Sequence, residues 1–120
     1  MPQEITTRSE LIPTATHDGD VVLAAIRGEI DLHNSPELRN ALLHIATTAA
    51  PKRMILNLDQ VPYMDSSAIA VLVETLQKLR KTGGKLYLTH LQPRVKGLLE
   101  IARLDSIFVL AKDEDEARTK

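Results

Sequence analysis

A near-continuous apolar run, Met54-Ile55-Leu56 within residues 53–58, constrains the fold more than any other part of this chain. Such a run is typical of a strand that is covered on both faces. Pro51 ends the helical pattern that precedes the apolar run. A loop leads from the run to a long helical pattern at about 66–82, which ends at Gly83-Gly84. A buried strand that alternates with helices predicts an α/β domain in which the later strands are parallel.

Further strands and helices are predicted on both sides of this unit. Strands are expected at 11–16, 21–27, 85–89 and 107–110, and helices from Ser35 to about 49, at 93–102 and at 113–118. The turn signal Asp18-Gly19-Asp20 joins the first two strands as an antiparallel hairpin. Ser35 is the expected cap of the first helix, because Pro36 suits the first helical position. The order β-β-α-β-α-β-α-β-α predicts a mixed central β-sheet with packed helices.

The length of 120 residues fits a single domain over 1–120, with a core at about 10–112. Residues 1–9 are polar without periodicity, so we expect a flexible start. The chain has no cysteine, which excludes disulfides and thiolate metal sites. Its four histidines lack a close metal spacing, so neither a metal nor a cofactor is expected.

Charge and hydropathy exclude two classes of partner. The formal net charge is −1 and the basic residues are scattered, which argues against nucleic-acid binding. The start lacks the pattern of a signal peptide, and no apolar stretch approaches the ~20 residues of a membrane-spanning helix. We therefore expect a cytoplasmic protein without membrane insertion.

The segment Met64-Asp65-Ser66-Ser67 lies where the loop after the buried strand meets the long helix. One interpretation is that Asp65 or Ser66 caps the helix and does nothing more. The apolar stripe of this helix is set by five residues: Ile69, Leu72, Val73, Leu76 and Leu79. Ser67 then lies roughly 180° and Ser66 roughly 80° from the centre of that stripe. Ser66 is therefore the better cap candidate, and Ser67 the better candidate for a hydroxyl offered to another protein.

The same geometry predicts a partner surface. Val71, Thr75 and Lys78 share the outer side of the helix with Ser67 and are expected to be exposed. Asp31 follows a strand and precedes a capped helix, and strand-end loops of α/β folds gather at one edge of the sheet. Asp31 could therefore approach Ser67 in space; the alternative is a solvated turn aspartate.

Five segments together resemble one known family. They are Gly28-Glu29-Ile30-Asp31, Ile55-Leu56-Asn57-Leu58, Met64-Asp65-Ser66-Ser67, Gly83-Gly84-Lys85-Leu86 and Pro93-Arg94-Val95-Lys96. Their order and spacing, which cover residues 20–110, resemble the STAS domains and, within them, the bacterial anti-sigma factor antagonists. The Asp-Ser-Ser motif alone is weak, and the five segments together are specific.

The resemblance implies a partner switch. In that family the unphosphorylated protein binds an anti-sigma factor that is also a serine kinase, and the sigma factor is released. The kinase phosphorylates the second serine of the motif, which maps onto Ser67, and a metal-dependent serine/threonine phosphatase reverses the step. Asp31 maps onto an acidic residue beside this site. The expected partner-binding residues are Asp31, Asp65, Ser66, Ser67, Val71, Thr75 and Lys78.

Phosphorylation at Ser67 is expected to act on binding rather than on folding. A phosphate at a helix N-terminus meets the positive end of the helix dipole, so the fold should tolerate it. The sequence departs from the family in one respect, because Ala68 and Ala70 stand where glycine is common. Alanine favours a helix by roughly 1 kcal/mol over glycine, so the helix start should be stiffer and kinase access to Ser67 is open to question.

Two other functions stay open on the sequence. A STAS scaffold subunit of a stress-sensing complex would share the fold, as would a STAS subunit of a membrane lipid transporter that acts by binding alone. An enzyme is not expected, because neither serine has the flanking glycines of a nucleophile elbow. Asp31, His33 and Ser67 could be imagined as a catalytic triad, but no oxyanion hole accompanies them.

Overall fold

The computed structural model describes all 120 residues and contains one six-stranded sheet and four helices. The elements are β1 (Gln3–Glu4), β2 (Thr14–Asp18), β3 (Val21–Arg27), α1 (Ser35–Ala49), β4 (Arg53–Gln60), α2 (Ser66–Arg80), β5 (Lys85–Thr89), α3 (Pro93–Ile101), β6 (Val109–Ala111) and α4 (Glu114–Thr119). The strands are neighbours in the sheet in the same order as in the chain. β1, β2 and β3 pair antiparallel, and β3 to β6 pair parallel. The predicted mixed α/β sheet is confirmed.

The predicted order of elements starts one strand too late. β1 consists of two exposed polar residues that pair with β2, and a strand this short has no hydrophobic period to recognise. The amide of Ile5, directly after β1, donates to the Ala15 carbonyl at 2.8 Å, and its side chain packs against the main core. β2 begins only after Pro13, because proline has no N–H to donate to the ladder.

The start of α1 also differs from the expectation. Ser35 is buried inside the first turn, and the preceding Asn34 occupies the cap position without a side-chain capping bond. The Asn34 side chain instead accepts from the Asp31 amide at 2.9 Å and donates to the Glu29 carbonyl at 2.9 Å. The residue predicted as the cap is therefore packed in the core, and Asn34 orders the preceding loop.

Alternate residues of the strands enter two separate cores. Three consecutive parallel crossovers of the same hand place α1, α2 and α3 on one face of the sheet, over Met54 and Leu56 of β4. On the opposite face Ile55 packs with Tyr87 and with Ala117 of α4. The apolar run 54–56 is thus covered on both faces, as its composition predicts.

Gly84 holds the turn after α2 against the start of β4. A Cβ atom here would overlap the Pro51 carbonyl oxygen and lie 3.3 Å from both Cβ and the carbonyl oxygen of Leu79. The backbone of this turn and that of the segment before β4 therefore touch in a way that requires glycine. Measured by length and hydropathy, every helix in the protein falls short of a membrane span.

Candidate functional site

The loops that follow β3 and β4 lie side by side at one edge of the sheet. Ile30 and Met64 form a parallel bridge, and the Ile30 amide donates to the Tyr63 carbonyl at 3.1 Å. The Asp65 amide returns a bond to the Ile30 carbonyl at 3.1 Å. These bonds bring the segment containing Asp31 next to the segment that begins α2.

Asp65, not Ser66, caps α2. Its Oδ1 accepts from the amides of Ser67 at 2.9 Å and Ala68 at 3.3 Å. The same oxygen accepts from the Ser67 hydroxyl at 2.5 Å. Hydrogen bonds from that hydroxyl and from backbone amides hold the pKa of Asp65 below its usual value, so the carboxylate is ionised at neutral pH. The expectation that Ser66 is the better cap is wrong, because the longer aspartate side chain reaches both amides from the position before the helix.

The second carboxylate oxygen of Asp65 connects the two loops. Oδ2 accepts from the Leu32 amide at 3.1 Å. One carboxylate therefore links the first turn of α2 to the loop that follows β3. Asp31 uses its own carboxylate locally, because Oδ1 accepts from the amides of His33 at 2.9 Å and Asn34 at 3.3 Å. Asp31 is thus a turn aspartate that also lies in the loop beside the Asp-Ser-Ser segment.

The outer side of α2 differs from the predicted one. Val71 is only 5% exposed, Thr75 is fully buried and Lys78 is half-buried. Glu74 lies on the same side of the helix and accepts two hydrogen bonds of 2.7 Å from Arg39 of α1. This side of α2 therefore packs against α1, and the prediction that Val71 and Thr75 are exposed is wrong.

The error has a physical cause. A helical wheel with a single apolar stripe assumes that the helix packs on one surface only. α2 packs on two surfaces, the sheet and α1, so its buried arc is wider than the apolar pattern indicates. The solvent-facing line of α2 consists of Ser66, Ala70, Gln77 and Arg80. Ser67 is half-buried at the border between this line and α1.

An exposed apolar surface beside the two serines escaped the sequence prediction. Leu32 is 75% exposed, Ile101 82% and Tyr63 37%. A groove of about 410 Å³ runs between the start of α2 and α3, and the Arg94 guanidinium lies 5.2 Å from the centre of the Tyr63 ring. The lining residues are Tyr63, Met64, Asp65, Ser66, Arg94, Gly97, Leu98 and Ile101. The available signal was an isoleucine at the polar end of α3 and a tyrosine in a loop.

The side chains of this site are arranged neither for metal binding nor as a catalytic triad. No group of three or more His, Asp and Glu side chains is arranged to hold a metal ion. The Ser67 hydroxyl donates to a carboxylate rather than to an imidazole, so the arrangement of a catalytic triad is not formed. The site is a surface made from two loops and a helix start.

Comparison with known proteins gives matches that span this site. The STAS domain family matches residues 12–117. The chain is 40% identical over 90 residues to the anti-sigma-B factor antagonist of Bacillus subtilis (strain 168), across 74% of this chain and 81% of that protein. An anti-sigma factor antagonist from Mycobacterium paratuberculosis has a similar fold, with a TM-score of 0.78 at 22% identity over 99% of this chain and 92% of that one. The Bacillus cell fate determinant SpoIIAA in the phosphorylated form gives a TM-score of 0.65 at 20% identity over 100% of both chains.

The family match begins just before β2 and ends within α4, so it includes both loops and the start of α2. The five segments that carry the resemblance in the sequence all lie inside this range. The chain therefore belongs to the STAS domain family and, within it, groups with the anti-sigma factor antagonists.

Proposed function

We propose that this chain is an anti-sigma factor antagonist that is switched by phosphorylation of Ser67. Its unphosphorylated form binds a cytoplasmic anti-sigma factor that is also a serine kinase, and the phosphorylated form is released. A metal-dependent serine/threonine phosphatase restores the binding form. The chain itself is a regulator that acts by binding and is not an enzyme. The observation that carries the proposal is the Asp-Ser-Ser segment, held at the start of α2 beside the loop of Asp31 in a member of this family.

Electrostatics support a binding switch at this position. A phosphate adds about −1.5 to −2 charge at neutral pH. It would arrive beside the ionised carboxylate of Asp65, 2.5 Å from the Ser67 oxygen. The surface around both loops then becomes strongly negative while the two cores, which lie behind it, keep their contacts. A partner docked here meets a changed charge and a polar group to desolvate.

The exposed apolar surface supplies the contact area that Val71 and Thr75 do not. We infer that the anti-sigma factor contacts Leu32, Tyr63 and Ile101 around the two serines. Exposed apolar clusters mark sites of association, and aromatic and arginine side chains dominate interface energies. The pair of Tyr63 and Arg94 lines the groove between the start of α2 and α3, together with Ile101.

Incubating the protein with its cognate kinase and ATP is expected to place one phosphate on Ser67. Intact-mass and fragment mass spectrometry would measure the modification, and binding to the kinase before and after would be measured by calorimetry. Ser67→Ala is expected to take up no phosphate and to stay bound. Ser66→Ala is the matched control, because it removes the neighbouring hydroxyl and leaves Ser67.

Two outcomes of this experiment separate the alternatives. Tight binding to the kinase without phosphate on Ser67 would contradict the covalent switch and would leave a domain that acts by binding alone. Phosphate on Ser67 with unchanged affinity would contradict the role of the modification in release. The effect of Ala68 on kinase access is measured by comparing the rate of the wild-type reaction with that of Ala68→Gly.

Charged substitutions on the apolar surface are expected to weaken binding without unfolding the domain. Leu32→Asp and Ile101→Asp each place a charge in the contact area, and each should lower the affinity for the anti-sigma factor by about 10- to 100-fold. Both side chains are mostly exposed, so stability should change by roughly 0.5 kcal/mol or less. Calorimetry measures the affinity for the anti-sigma factor, and urea unfolding measures the stability of each variant.

The matched control is Thr47→Asp, on an exposed position near the far end of α1. It carries the same new charge at roughly 20 Å from the start of that helix. Equal losses of affinity in all three variants would mean that charge alone, and not this surface, governs binding.

A further inference from the structure

The two serines of the Asp-Ser-Ser segment differ in their surroundings. Ser66 is exposed on the solvent-facing line of α2, whereas Ser67 is half-buried at its border with α1. A kinase that chose its acceptor by exposure alone would take Ser66. Selection of Ser67 therefore requires a second property that distinguishes the two hydroxyl groups.

Asp65 gives the Ser67 hydroxyl a fixed orientation. The distance of 2.5 Å between Ser67 Oγ and Asp65 Oδ1 is that of a short hydrogen bond from a hydroxyl to an ionised carboxylate. The proton of the hydroxyl is directed at Oδ1, so the lone pairs of Oγ point away from the carboxylate. The bond from the Leu32 amide to Oδ2 at 3.1 Å keeps the carboxylate itself from turning.

We propose that Asp65 is the positioning residue that selects Ser67 over Ser66 as the phosphoryl acceptor. This inference rests on the proposed function, because it takes the kinase reaction at Ser67 as given. Asp65 acts by holding Oγ of Ser67 with a lone pair outward at the surface where the kinase docks. Ser66 has the better exposure and a freely rotating hydroxyl, whose reactive orientation must be ordered at the cost of entropy.

The reaction that Asp65 assists is an ordinary phosphoryl transfer. Ser67 Oγ forms a bond to the γ-phosphorus of the ATP held by the kinase, the bond from that phosphorus to the β,γ-bridging oxygen breaks, and ADP leaves. The hydroxyl proton moves toward Asp65 Oδ1 and from there to water. Because the transition state of such transfers is loose, orientation of the nucleophile counts for more than the strength of a base. The lowered pKa of Asp65 agrees with orientation, since it makes the carboxylate a weak base.

The test compares Asp65→Ser with Asp65→Asn. Serine caps helices about as well as aspartate, so Asp65→Ser preserves the start of α2, but its shorter side chain cannot bridge the Leu32 amide and the Ser67 hydroxyl together. Asparagine keeps the shape and one acceptor oxygen. Site-resolved mass spectrometry gives the rate of phosphorylation at each serine, and affinity for the kinase in the absence of ATP separates binding from turnover.

We expect Asp65→Ser to lower kcat at Ser67 by about 10- to 100-fold while Ser66 gains a share of the phosphate. Asp65→Asn should keep a preference for Ser67, because its oxygen can still accept from the Ser67 hydroxyl, but a smaller preference than wild type, because its NH2 group cannot accept from the Leu32 amide. Wild-type rate and selectivity in Asp65→Ser, with the fold intact by circular dichroism, would overturn the role of Asp65 and leave the proposed function standing. A wild-type chain that binds the kinase and carries phosphate on Ser66, or on neither serine, would overturn both.

Discussion

Val71→Asp is expected to lower the free energy of unfolding by about 3–5 kcal/mol, because it leaves an uncompensated charge in the contact between α1 and α2. Val71 is 5% exposed and belongs to the main core. The aspartate carboxylate would lose its hydration at this buried position, and the apolar contacts of the valine side chain would be lost as well. Urea unfolding followed by circular dichroism measures the loss of stability. A variant that is already largely unfolded at 37 °C would also agree with the prediction.

Ala70→Asp is the matched control, one residue earlier on the same helix. Ala70 is exposed next to Ser66 on the solvent-facing line. The same new charge should cost roughly 0.5–1 kcal/mol of stability, mostly through helix propensity, because it keeps its water. Affinity for the anti-sigma factor should fall instead. If Val71→Asp were as stable as Ala70→Asp, the packing of α2 against α1 described above would be wrong.

Gly84→Ala is expected to destabilise the domain by about 1–3 kcal/mol, as for other overpacked sites. The added Cβ would overlap the Pro51 carbonyl oxygen, and backbone on both sides leaves it little room to move. Leu79 approaches the same position from α2 at 3.3 Å. The shift of the urea midpoint against wild type measures the effect.

Gly97→Ala should change stability in the opposite direction. Gly97 lies inside α3, and an added Cβ meets no atom within 4 Å. Alanine in place of glycine at such a helical position stabilises by about 0.5–1 kcal/mol. A loss of stability of equal size in both variants would contradict the close contact at Gly84, since only one of the two positions is crowded.

Much of the fold is predictable from local patterns in the sequence. The bounds of β3 and β5 coincide with the predicted ranges, and the hairpin turns at Gly19 with φ of 60°, a conformation that glycine adopts freely. The apolar run of β4 indicates burial on both faces by its composition alone. These features depend on residues close together in the chain, which is why period and turn chemistry suffice to find them.

The missed features depend on contacts between distant segments. Nothing within α2 reveals that α1 lies against Val71 and Thr75, and both residues resemble ordinary surface positions of an amphipathic helix. The second bond of the Asp65 carboxylate, which Oδ2 accepts from the Leu32 amide, likewise depends on the bridge between the two loops. Exposure of Leu32 also follows from how the two loops lie against each other, whereas Ile101 could have been noticed as an isoleucine at the polar end of α3.

The consecutive order of the six strands bears on how the chain comes to be folded. Every strand pairs with the strand made just before it, so no segment has to wait for a distant partner, and each closure involves a loop of modest entropic cost. Domains emerging from the ribosome can form structure from the amino end. β6 is added last, beside β5 at the free edge of the sheet, so no earlier strand has to separate to admit it. At each stage the strand made most recently forms the edge that pairs with the next strand to be synthesised.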